Sequence, residues 1–257
     1  VKRDLALIIE AGLDAEIPVL IGTAGGSGAA PHLSWCLEIV NDVLVELNQT
    51  ARVAHIESDQ MANDLITALH QHRISPLGPV PSLTVADISE STHIVAQMGV
   101  EPVVEALKEG AQIVVAGRCY DPAVFAAVPV MQGFSEALAL HMGKILECAA
   151  IAAIPGSGSD CMLGTLDASG FALEALNPDR RCTVTSVAAH TLYEKSDPRL
   201  LPGPGGVLDL TGCQFEQMDD RRVRVTGTQF VKSDQYTIKL EGAKPVGYRT
   251  ISLAGIR

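Results

Sequence analysis

Glycine, serine and histidine crowd together in Thr23-Ala-Gly-Gly-Ser-Gly-Ala-Ala-Pro-His32, between a short apolar run and the start of a helical pattern. Glycines permit positive φ and close backbone approach, and free N–H groups at a helix start carry partial positive charge. The pattern therefore suits a phosphate or a carboxylate, with Gly25, Gly26, Ser27, Gly28 and His32 as candidate anion-binding residues. The specific nucleotide fingerprints are not met. Pro31 stands where a dinucleotide-binding turn needs its third glycine or alanine, and no Lys-Ser/Thr pair follows. Glu57 and Asp59 come about 30 residues after the glycines, where a ribose-binding acid is expected at about 20. An equal reading is a tight turn that only lets helix and strand pack.

A second cluster, Gly117-Arg-Cys-Tyr-Asp-Pro122, also follows a buried apolar run. Arg118 has the geometry to hold a carboxylate or phosphate bidentately, and Asp121 suits either a helix cap, the favoured reading, or an acid/base role. Farther on, His141, Lys144 and Glu147 recur at i, i+3 and i+6, along one helical stripe. Such a trio can move protons, or form a solvated face with one salt bridge. Ser157 and Asp160 lie in a polar, glycine-rich loop and are further ligand-binding candidates. His190, a catalytic candidate, pairs at i, i+4 with Glu194; a divalent metal on that pair is the less favoured reading, because a site needs three or four ligands. Gly156-Ser-Gly-Ser159 follows a helix rather than a strand and so fails as a nucleophile elbow.

Alternating elements must position these groups. Helical spacing covers Val1 to Ala11, with Gly12 as its stop, and Ile17 to Gly22 reads as a strand buried on both faces. A helix from Pro31 and a strand at Ala51 to Ile56 complete a strand, helix, strand unit. Helices are expected near Gln60 to His72, Asp87 to Met98 and Val100 to Glu109, with a proline-rich loop at Ser75 to Ser82. Ala111 to Gly117 reads as a second buried strand, followed by a helix that Asp121 caps and a longer one over Ser135 to Ala153. Strand patterns at Gly206 to Leu210, Arg222 to Thr226, Tyr236 to Leu240 and Tyr248 to Leu253 follow a composition change after Gly205. The expected fold is an α/β open, mostly parallel sheet flanked by helices, followed by a β-rich C-terminal segment. Residues 1–204 are expected to form the body, and 205–257 the start of a second subdomain. Loops at the carboxyl ends of parallel strands share one rim, so residues 23–32, 57–59 and 118–121 should face one crevice.

The chain has 257 residues, 47% hydrophobic and 19% charged, enough for a large core. Its formal net charge of −11 argues against nucleic acid or an anionic membrane surface as a partner. The longest apolar runs fall short of the roughly 18 residues of a spanning helix, and no export leader is evident, so a soluble, cytoplasmic protein is expected. The six cysteines lack metal or redox spacing and read as buried thiols. The absence of methionine at Val1 reads as a piece of a longer protein.

Long blocks carry a resemblance: IPVLIGTAGGSGAAPH, THIVAQMGVEP, GRCYDPAVFAA, HMGKILECAA, LNPDRRCTVTSVAAHTLYEKSDP, PGGVLDL and YTIKLEGAKPVGYRTISLAGIR. In this order they are similar to the acyclic terpene utilisation protein family, across nearly the whole chain. That resemblance implies a role in degrading citronellol- and geraniol-type compounds through branched acyl-CoA thioesters. It also implies a longer family chain, with a further glycine-rich start upstream.

The resulting expectation is a catabolic enzyme acting on a branched unsaturated acid or acyl-CoA by a hydratase, lyase or isomerase step, with no redox cofactor demanded. The glycine loop and Arg118 would hold the carboxylate or CoA phosphate, while His141, Lys144 or His190 exchanges a proton. The alternative is a non-catalytic ligand-binding or assembly subunit of a carboxylase or hydratase system. A mean hydropathy of +0.23 suits a homo-oligomer under either reading.

Overall fold

The computed structural model describes every residue except Lys195, residues 252–254, Ile256 and Arg257. Its α/β half is built on a three-stranded parallel sheet of β1 (Val19–Ile21), β2 (Val53–Ile56) and β4 (Ile113–Ala116), in the order β1-β4-β2. β4 is buried along its whole length, because it lies in the middle and both its faces are covered. Strand alternation divides the cover. Val19, Ile21, Val53, Ile113 and Val115 pack under α1 (Lys2–Asp14) and α2 (Ala30–Glu46). Leu20, Ala54, Ile56 and Val114 pack under α5 (Glu101–Lys108) and α6 (Asp121–Met131). The strand, helix, strand unit over residues 17–56 therefore exists, but its two strands are separated by β4.

Other expectations are corrected. Gly12 does not stop α1; it lies inside the helix, where an added Cβ would come within 2.5 Å of Val19 Cγ2. The helix expected over Asp87 to Met98 is only α4 (Val85–Glu90), started by a Thr84–Asp87 capping box. After it, the β-branched residues of β3 (His93–Ala96) pair antiparallel with β12 (Leu240–Ala243). α3 (Ala62–His70) lies where expected. The long helix expected to Ala153 ends as α7 (Glu136–Leu146), with a 3-10 turn at Ala149–Ala152 after it.

The β-rich half begins earlier than the composition change. β5 (Met162–Leu166) and β6 (Gly170–Ala175) form a hairpin that joins β10 (Arg222–Thr226) and β9 (Gln214–Gln217) in one antiparallel sheet. β7 (Leu200–Gly203) and β8 (Gly206–Asp209) form a hairpin extended by β11 (Gln229–Lys232). No strand forms at Tyr236 to Lys239 or at Tyr248 to Ile251, and the remainder of that last expected strand falls outside the described residues. α7 packs against the first of these sheets, against α8 (Val184–Thr191), and on its other side against α6 and β8. It is consequently buried from Ala137 through Ile145, polar residues included.

Gly12 supplies a test in which two effects oppose. Gly→Ala inside a helix normally stabilises by about 1 kcal/mol, but here the methyl meets the stiff, β-branched Val19 side chain and, at 3.2 Å, the Ile17 carbonyl. Gly12→Ala is expected to lower the urea midpoint, whereas a raised midpoint would show that helix propensity outweighs the contact.

Candidate functional site

The loops leaving β1, β2 and β4 are joined by hydrogen bonds. Buried Ser58 Oγ donates to the Gly28 carbonyl at 2.9 Å and accepts from Arg118 N at 2.7 Å. Thr23 Oγ1 donates to Asp121 Oδ1 at 3.1 Å and accepts from Cys119 N at 3.2 Å. This proximity requires Gly28 to be glycine. Its φ is +72°, and a Cβ there would fall 2.1 Å from Arg118 N.

Within the loop most donors are already engaged. Gly26 and Gly28 amides donate to the Thr23 and Ala24 carbonyls, and Ala29 N donates to Ser27 Oγ at 3.2 Å. Ala30 N, at the start of α2, donates to Asp59 Oδ2 at 2.6 Å, while Asp59 Oδ1 holds His93 Nδ1 at 2.6 Å. The helix start thus carries the chain's own carboxylate in the place an external anion would take. Ser27 Oγ also pairs with His32 Nδ1.

Arg118, with its side chain 18% exposed, sits between carboxylates. Its Nε lies 3.1 Å from Glu241 Oε2 of β12, without hydrogen-bond alignment, and its Nη2 lies 3.9 Å from Asp121 Oδ2. Asp121 is not the cap it was expected to be. Tyr120 is the N-cap of α6, and Asp121, in the first turn, faces Thr23 and Arg118.

The stripe on α7 divides according to burial. His141 is 0% exposed, with Nδ1 2.7 Å from Thr228 Oγ1, Nε2 3.2 Å from Thr191 Oγ1, and the edges of Phe171 and Phe215 around it. Burial alone pushes it down to about 3, so it is a neutral core histidine with both nitrogens satisfied. Lys144, 2% exposed, forms an ion pair with Glu147 and lies 5.8 Å from the centroid of the Tyr193 ring. His190 stacks on the same ring, 5.3 Å away and 12° from parallel. It is 5% exposed, and its buried Nε2 has no hydrogen-bond partner among the described residues. Its pKa is lowered by burial first and then by the Lys144 charge, with Glu194 opposing.

Two neighbouring groups tie these ends together electrostatically. The half-buried Cys148 thiol is raised by burial and then mainly by Glu147, with smaller contributions from Glu194 and Asp121. The Tyr120 hydroxyl is raised by burial, Glu147 and Asp121. The geometry agrees, since Gly143 of α7 lies against Pro122 at the start of α6 and Lys144 lies over the Tyr193 ring in the turn after α8. Glu194 lies past the end of α8 with a φ of +60°, so the helical i, i+4 pairing with His190 is not formed. Among the described residues no group of three or more His, Cys, Asp or Glu is placed to hold a metal.

Ser157 and Asp160 stand apart. Asp160 pairs with Arg180 and accepts from Asn177 Nδ2 at 3.0 Å, and Ser157 Oγ meets Ser159 Oγ at 3.1 Å. Two cavities of about 420 and 470 Å³ lie at the opposite, amino-terminal edge of the parallel sheet. Arg52, Gly110 and Gln112 line one, and Gly12, Pro18 and Met131 the other. Thr23 and Ser58 fall within the ranges expected to line one crevice, although neither carries a local signal of its role, and Tyr193 stacks on its near neighbour His190. Glu241 is the residue that the spacing does not announce, because its partner Arg118 comes from another element.

The chain matches the family model described as acyclic terpene utilisation family protein AtuA over residues 16–256. No curated protein and no solved structure matches it. No helix among the described residues is long and apolar enough to cross a membrane.

The enclosure of His141 has a consequence for stability. Its folded pKa lies below the ordinary value of 6.5, so between about 6.5 and 3 the unfolded chain binds the extra proton and stability falls as pH falls. Asp87 and Asp167 are the clearest of the paired aspartates, held low by Lys244 and by Arg224 respectively. Such groups act mainly below about pH 5 and are common to wild type and a His141 variant, so the difference between the two proteins isolates the ring. Unfolding measured from about pH 6.5 to 4 should show wild-type stability falling by up to about 1.4 kcal/mol per pH unit more steeply than that of His141→Gln. Parallel slopes for the two proteins would mean that the ring is not held neutral.

Proposed function

The chain belongs to the acyclic terpene utilisation family, and from its site we propose an acid/base enzyme acting on a branched unsaturated acid or its CoA thioester, by a hydratase, lyase or isomerase step. The role in acyclic terpene utilisation follows from the family. The chemistry is inferred from one observation: the buried His190 Nε2 has no partner among the described residues and lies in the field of Lys144.

Leaving a buried polar nitrogen unsatisfied costs about 1–3 kcal/mol, a cost that a ligand or ordered water at the site would remove. Burial and the Lys144 charge keep the ring neutral near pH 7, the state in which it accepts a proton. Adding water across a conjugated double bond, or moving that bond, builds negative charge on the carbonyl oxygen. Lys144, fixed by Glu147, supplies the compensating positive charge beside the base. In this reading His190 exchanges a proton with the carbon chain, Lys144 stabilises the enolate-like oxygen, and Arg118 takes the substrate's carboxylate or a CoA phosphate. Asp121, in the same neighbourhood as Glu147, is the remaining acid/base group. His141 has no part in the proton transfer.

A second reading, a non-catalytic binding or assembly subunit, draws on exposed large apolar side chains on the outer helices. Leu7 and Ile8 on α1 and Trp35 and Val45 on α2 are all exposed, which suits an oligomer or a partner subunit.

Proton exchange separates the two readings. A branched α,β-unsaturated acyl-CoA incubated with the protein in D2O should gain deuterium next to the carbonyl or at the γ-carbon, read by NMR. His190→Gln should slow this by about 100-fold or more. No exchange with wild type, together with co-migration with an acyl-CoA carboxylase on size exclusion, would favour the subunit instead. An NMR titration of the His190 ring should give a midpoint below 6.5 that moves up in Lys144→Met, since the Lys144 charge is one cause of the depression. An unchanged midpoint would remove Lys144 from the account.

A further inference from the structure

The glycine loop is not needed by the proton-transfer site, and most of its amides are committed inside the fold. What it presents outward is a serine hydroxyl bonded to an imidazole. We propose that Ser27 and His32 form a nucleophile and base pair that hydrolyses acyl esters or thioesters, an activity separate from the chemistry at His190 and independent of it.

Three observations carry this. The first is the bond itself. Ser27 Oγ accepts from Ala29 N at 3.2 Å, which leaves its own proton to donate to His32 Nδ1. That is the arrangement in which a neutral imidazole withdraws the hydroxyl proton as the oxygen attacks. The Ala29 amide, directed at Oγ, holds the hydroxyl oriented toward the ring.

The second is the backbone that makes the bond attainable. Gly25 has a φ of +59°, and a Cβ on it would lie 2.6 Å from His32 Cβ, so any other residue would push the ring away from Ser27. Gly26, at φ +90°, turns the chain so that Ser27 follows.

The third is access. Gly25, Gly26, Ser27 and His32 are exposed, and a Cβ added at Gly26 would meet nothing within 4 Å. An acyl group can therefore reach Oγ from the open side. Ser27 lies in the loop after β1 and His32 in the first turn of the 17-residue α2, so the pair stands at the carboxyl edge of the parallel sheet, where ligands of such sheets bind.

The reaction balances with water alone. Ser27 Oγ bonds to the acyl carbon, its proton passes to His32 Nδ1, and the carbon–sulfur or carbon–oxygen bond breaks. The leaving thiolate or alkoxide takes that proton. Water then attacks the acyl-serine, giving its proton to His32, and the acid departs as Ser27 Oγ recovers the proton. One thioester and one water become one acid and one thiol.

The test is a fluorophosphonate probe with intact-mass and peptide analysis on the full chain. One adduct at Ser27 is expected, lost in Ser27→Ala and formed about 100-fold more slowly in His32→Gln. Because both side chains are exposed, melting curves of these variants should overlay that of wild type. Ser27→Cys, which keeps a nucleophile beside His32, should regain modification with iodoacetamide at position 27. No adduct on the wild type, an adduct that persists in Ser27→Ala, or a rate indifferent to His32→Gln would each overturn the proposal.

Discussion

Ser58 holds together three chain segments that would otherwise be independent loops. Its buried hydroxyl spends its proton on the Gly28 carbonyl and its lone pair on the Arg118 amide, so the loop after β1, the end of β2 and the loop after β4 share one small polar group. Beside it, Asp59 receives the first amide of α2 and the His93 ring. Buried donors and acceptors without partners are costly, so this clasp lets three backbone segments approach while satisfying the Gly28 carbonyl and the Arg118 amide. Placement of Arg118 and Asp121, and of the turn that carries Ser27 toward His32, follows from it.

α7 transmits that placement to the other half of the molecule. The helix packs on α6 and β8 on one side and on the β5, β6 and β10 sheet on the other, so His141 and Lys144 are buried. His141 responds by staying neutral between two threonines, and Lys144 by keeping Glu147. Removing one member of a buried ion pair costs about 3–5 kcal/mol, which fixes the Lys144 charge next to His190. Gly143 matters here too, because a Cβ there would lie 2.5 Å from the Pro122 carbonyl. Close packing of α6 on α7 thereby brings Asp121 into the neighbourhood of Glu147.

How far these features can be read from the sequence depends on how local their causes are. β1 and β4 are legible because a strand buried on both faces is a continuous apolar run. β3 is not, since Thr92 to Val95 continue a helical-looking stretch and their partner is β12 at the far end of the chain. The glycine loop is visible in composition, but the carboxylate at the start of α2 is not, because Asp59 reaches it only through the β1-β4-β2 order. Likewise the i, i+3, i+6 spacing of His141, Lys144 and Glu147 is visible, whereas their burial comes from strands that follow the helix. Acyclic terpene utilisation is shared with the family as a whole; the burial and pairing of these particular residues come from their tertiary contacts.

Hydrogen–deuterium exchange on Ser58→Ala tests the clasp most directly. Loss of the hydroxyl leaves the Gly28 carbonyl and the Arg118 amide without their shared partner. Exchange should accelerate in residues 22–30 and 117–121 together, while the cores around Phe171 and Ile9 keep wild-type protection. Unchanged exchange in those two segments, or acceleration spread evenly over the whole chain, would contradict the assignment of Ser58 as the group that assembles the rim.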